Sequence, residues 1–113
     1  MAYTFRGVAL LSLAMASPAL AYDLTAALAS KPSAQFESSK TIYAIERCII
    51  RLDMPDAAIV YRAPDEPNHS LIYWPTAMRK PMVVELKQSG AAAQIIVRNP
   101  TSGGMERRFG ECA

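Results

Sequence analysis

The stretch "TIYAIERCII" (residues 41–50) decides how the rest of the chain is read. On a helical wheel of roughly 100° per residue, Ile42, Ile45, Cys48, Ile49 and then Leu52 fall in an arc of about 120°. Lys40, Arg47 and Arg51 fall on the other side. This spacing predicts an amphipathic helix over 39–52, capped by Ser38 or Ser39 and ended by Asp53-Met54-Pro55. Cys48 points inward from it. Tyr43 and Ile50 interrupt the polar face, which leaves them for an N-terminal arm or a partner.

The role of Cys48 depends on compartment. Arg6 precedes an apolar run, "GVALLSLAMA" (7–16), that is too short to span a bilayer. Pro18 breaks the run, and Ala19-Leu20-Ala21 has the small-x-small pattern of a signal cleavage site. Residues 1–21 therefore read as a cleaved signal peptide, cut between Ala21 and Tyr22. The rival readings are a buried N-terminal helix and a retained membrane anchor. Export places the two cysteines, Cys48 and Cys112, in an oxidising space where a pair becomes a disulfide. C-x-x-C redox spacing is absent, and a single His leaves a catalytic thiol few bases. A Cys48–Cys112 bridge is the expectation.

Residues 22–113 suit one small domain. Its net charge is about +1 once Arg6 is lost, which argues against nucleic acid as a partner. At the start, Asp23 is placed to cap a short helix over 24–29, interrupted by Lys31-Pro32-Ser33, as a loosely docked arm. Strand signals begin after Pro55. "AAIVYRA" (57–63) and "SLIYW" (70–74) flank a turn-rich "PDEPNH". "MVVELKQ" (82–88) alternates Met82, Val84 and Leu86 against Val83, Glu85 and Lys87. After Ser89-Gly90, "AAAQIIVR" (91–98) returns with Ala93, Ile95 and Val97 inward, completing a hairpin. Near the end Met105, Phe109 and Cys112 share a helical face, although Met105, Arg107 and Phe109 also alternate as in a strand; the helical turn is preferred.

The expected fold is thus α+β: an amphipathic helix on a four-stranded antiparallel meander, with a short C-terminal helix or strand tied to the main helix by the disulfide. A helix over an antiparallel sheet resembles the outline of cystatin-like inhibitors. "QIIVR" (94–98) lacks the glycine of their Q-x-V-x-G hairpin, so no residue roles carry over.

Two stretches bear on function. Asp65, Glu66 and His69, with Ser70 adjoining, are the residues a metal-dependent enzyme or small hydrolase would use, but they match no ligand spacing. A solvated loop explains them. "IYWPTAMRKP" (72–81) holds Tyr73, Trp74, Met78, Arg79 and Lys80 between two prolines, residue types enriched where proteins meet partners. No cofactor or metal is implied. Gly103-Gly104 beside Arg107-Arg108 lacks the strand context of a phosphate loop. The expected function is a non-catalytic binding or interaction module, periplasmic or secreted, acting on a protein or envelope partner, for instance by inhibiting an exported enzyme. No nucleic acid and no membrane anchor after cleavage are expected.

Overall fold

The computed structural model describes residues 19–54, 57–75, 81–101 and 104–113. Its elements are α1 (Ala19–Leu28), β1 (Ala34–Ser38), α2 (Ile42–Ile50), β2 (Ile59–Tyr61), β3 (His69–Trp74), β4 (Met82–Ser89), β5 (Ala92–Arg98) and α3 (Met105–Gly110). The strands form one antiparallel sheet in the order β1-β5-β4-β3-β2. The chain is α+β, as the sequence predicts.

The central hairpin follows the alternation. Val84 pairs with Val97 and Leu86 with Ile95, while Ser89 opposite Ala92 closes the loop. Gly90, at φ +63°, takes the first central position of that two-residue turn, where a II′ geometry demands a positive φ. Met82, Val84, Leu86, Ala93, Ile95 and Val97 all face one core with Ile72 and Trp74. Ile42, Ile45 and Ile49 of α2 are fully buried against it. Each such burial contributes roughly 1.5–3 kcal/mol.

The sheet has five strands, not four. Residues 34–38, "AQFES", pair antiparallel with β5 from Ala34 opposite Val97 to Ser38 opposite Ala93. Phe36 is the only large apolar side chain in this segment, so its pattern carries almost no strand signal. The open edge of β5 supplies the ladder instead. This added strand also shortens the helix expected over 39–52. Ser38 belongs to β1 and its hydroxyl accepts from Lys40 N, so neither Ser38 nor Ser39 caps α2. Thr41 does, accepting from Ala44 N at 3.2 Å, and Gln88 Oε1 takes the Ile42 N–H at 3.1 Å.

The N-terminal arm is helical over Ala19–Leu28, so Asp23 lies inside α1 rather than at its cap. Leu24, Ala27 and Leu28 pack on Leu71, Val83 and Tyr73, on the sheet face away from α2. Helices therefore cover both faces. The remainder of the expected signal peptide, residues 1–18, lies outside the described residues. No helix among the described residues is long and apolar enough to cross a membrane.

The C-terminal segment is helical. Phe109 is fully buried, its ring 5.6 Å from that of Trp74 at an interplanar angle of 32°. Cys48 and Cys112 form the disulfide, with Cα atoms 5.7 Å apart. Gly110 lies against the Phe36 ring so closely that a Cβ there would sit 2.7 Å from it, so α3 needs this glycine to pack over β1. An intramolecular disulfide favours an oxidising, extracytoplasmic setting.

Candidate functional site

Three features outside the ordinary core stand out. The first is a buried carboxylate. Glu46 is 5% exposed on α2, beside the apolar stripe. Arg62 binds it with two nitrogens, Nε to Oε2 at 3.1 Å and Nη2 to Oε1, and Ser70 Oγ donates to Oε2 at 2.7 Å. The hydrogen bond to Glu46 holds the Arg62 guanidinium above its ordinary value, burial acting in the opposite sense. Arg62 also lies 4.8 Å above the Tyr43 ring, whose hydroxyl donates to Pro67 O. With both oxygens engaged, this carboxylate fastens β2 and β3 to α2. The wheel of residues 41–50 holds the clue: Glu46 lies only about 40° from Ile42. The spacing does not reveal that Arg62 and Ser70 meet it.

The second feature is on the opposite face. His69 Nε2 donates to Glu85 Oε2 at 2.6 Å, and Arg98 Nη1 donates to Glu85 Oε1 at 2.8 Å. His69 Nδ1 lies 3.2 Å from Glu66 Oε2. Arg98 Nε donates to Ser30 O just past α1, so the cluster also holds α1 in place. The carboxylates that meet His69 are Glu66 and Glu85, while Asp65 is exposed in the turn. His69 and Ser70 are neighbours on β3 and point to opposite faces, so they do not form a nucleophile–base pair. Among the described residues no group of three or more His, Cys, Asp or Glu is placed to hold a metal ion.

Burial pushes the Glu85 carboxyl upward, but hydrogen bonds from Arg98 and His69 and the nearby Lys87 charge outweigh it and hold the carboxyl below its ordinary value. A lowered folded pKa means that Glu85 contributes stability above its unfolded pKa of about 4.3. That contribution is lost as pH falls through the folded value. Glu85→Gln is therefore expected to be less stable than the native chain at neutral pH and to lose less stability on acidification. Urea unfolding between about pH 7 and pH 3 checks this; parallel pH profiles for the two proteins would remove Glu85 as the cause.

The third feature is apolar. Among the described residues β2 is the last strand of the sheet, paired only on its β3 side. Its three residues, Ile59, Val60 and Tyr61, are all exposed, Tyr61 to 51%. Tyr43 and Ile50, the residues that interrupt the polar face of α2, are exposed as well. Between α2 and β2 runs a groove of about 480 Å³, whose walls include Ile49, Ile50, Met54, Ala58, Val60 and Trp74. Trp74 is 3% exposed, and its indole N–H has no hydrogen-bond partner among the described residues.

The sequence-predicted surface divides here. Tyr73 is half-buried under α1 on one face of β3 and Trp74 is buried on the other, as strand alternation requires. Met78, Arg79 and Lys80 lie outside the described residues. The β2 edge was legible as a strand, but its exposure was not. Comparison of the chain with family models, curated proteins and solved structures found no match.

Proposed function

We propose that this protein is a non-catalytic binding module of an exported compartment, and that the β2 edge and the exposed Tyr43 and Ile50 of α2 beside it form its docking surface. One observation carries this reading: three consecutive exposed apolar residues on an open edge strand. Natural sheets guard such edges with charges, prolines or covering elements, because unpaired strand edges recruit other chains. The only charge in residues 57–63 is Arg62, and it is turned toward Glu46. Exposed apolar groups gathered in one patch mark interaction sites more often than scattered ones do.

Photo-crosslinkers at positions 59 and 61 test the reading in the natively exported protein, with position 37 on the opposite sheet edge as control. Discrete adducts at 59 and 61, absent at 37, are expected. Equal labelling at all three positions, or none at 59 and 61, would overturn it.

A further inference from the structure

Resting on that reading, we infer that the partner presents an extended, uncharged polypeptide segment that adds to the sheet alongside β2 and inserts one bulky apolar side chain into the groove. Two observations converge on this occupant. Among the described residues the outer side of β2 has no strand partner for its backbone donors and acceptors, and another extended backbone satisfies these. The groove borders the same strand on the α2 side, where Ala58 and Val60 form part of its wall. An added strand carries alternate side chains to that side, so one of them lies over the groove. Trp74 lines the groove as well.

A second copy of this chain is the weaker occupant. Val60 pairs with Ile72 of the inner face, so the β2 side chains on that side are Ala58, Val60 and Arg62. Arg62 is committed to Glu46. Alanine and valine from a symmetric partner strand would bury less apolar side chain in the groove than one bulky residue does. Among the described residues, the groove walls and the three β2 side chains carry no charge, and the complementary segment carries none where it touches them.

Capped peptides of alternating threonine and valine, with a central phenylalanine, leucine or alanine, are the probes. Trp74 is the only tryptophan in the chain, so its emission reports occupancy directly. Saturable binding that shifts this emission is expected for the phenylalanine peptide. The alanine peptide should bind at least about tenfold more weakly, since it forgoes most of the buried side chain. N-methylation of alternate amides in the phenylalanine peptide should abolish binding, as it removes ladder donors without touching the protein. Val60→Lys should weaken binding by a similar factor.

Absence of saturable binding by any peptide, or binding indifferent to N-methylation, overturns the inference. So does sedimentation showing a dimer that Val60→Lys dissociates, because the edge would then belong to a second copy. Adducts at positions 59 and 61 together with peptides that do not bind would remove this inference and leave the docking surface standing.

Discussion

Reduction of the Cys48–Cys112 bond, or its removal as Cys48→Ser with Cys112→Ser, is expected to lower the unfolding free energy by about 4 kcal/mol. The bond spans a sequence separation of 64 residues, so its loss frees a long loop in the unfolded chain. Against a typical net stability of about 5–15 kcal/mol, that is a large share. The folded state depends on it locally too. α3 has six residues, too few to persist as a helix without tertiary support. Phe109 and the disulfide hold it in the core, and Lys40 Nζ reaches Cys112 O at 3.4 Å. Urea titration with and without reductant measures the effect. A lower midpoint is expected, with a steeper dependence on urea because the unfolded chain becomes more open. Amide protection should fall first in 105–113. An unchanged midpoint would show that the bond does not stabilise the fold.

Arg62→Leu is expected to destabilise by about 3 kcal/mol, the lower end of what breaking a buried ion pair costs, since Arg62 itself is 47% exposed. The cost arises on the other side of the pair. Removing the guanidinium leaves Glu46 as a buried charge with only Ser70 as donor. Glu46→Gln should cost less, roughly 1–2 kcal/mol, because its one amide oxygen still accepts from Arg62 Nε and Ser70 and no charge is stranded, while its NH2 loses the bond from Arg62 Nη2. The double variant should then be more stable than Arg62→Leu alone, since the buried charge is gone. Chemical denaturation of the three proteins closes this cycle. Additive losses would mean that the two side chains do not depend on each other. The pair also bears on the docking surface. Arg62 follows β2 directly, so its loss should raise amide exchange along Ile59–Tyr61 as the edge strand loosens.

Much of this architecture was legible in residue patterns. Alternation over 82–98 assigned the hairpin and its inward face residue by residue, because both a two-residue turn and a period of two are local properties. The stripe of Ile42, Ile45 and Ile49 identified the main helix for the same reason. β1 was not legible. Its backbone hydrogen bonds come from β5, some 60 residues away in sequence, and its side chains add little. Nor was the second helical layer, since α1 covers Leu71, Val83 and Tyr73 only once the sheet exists. The candidate site divides in the same way. Tyr43 and Ile50 were recognisable as misplaced apolar residues on a polar face, whereas the role of Trp74 depends on a groove that neither α2 nor β2 contains alone.

By itself the amino-acid order determined the α+β class, the main helix, the central hairpin and the single possible cysteine pairing. Each follows from side-chain periodicity or simple counting, which act over a few residues or leave one choice. Only the tertiary structure decided that a weakly patterned segment completes the sheet, that Glu46 is buried between Arg62 and Ser70, and that β2 is left open at the edge. Those outcomes depend on which distant backbone groups remain unpaired after the local elements have formed, and hydrogen-bonding demand of that kind leaves no period in a sequence.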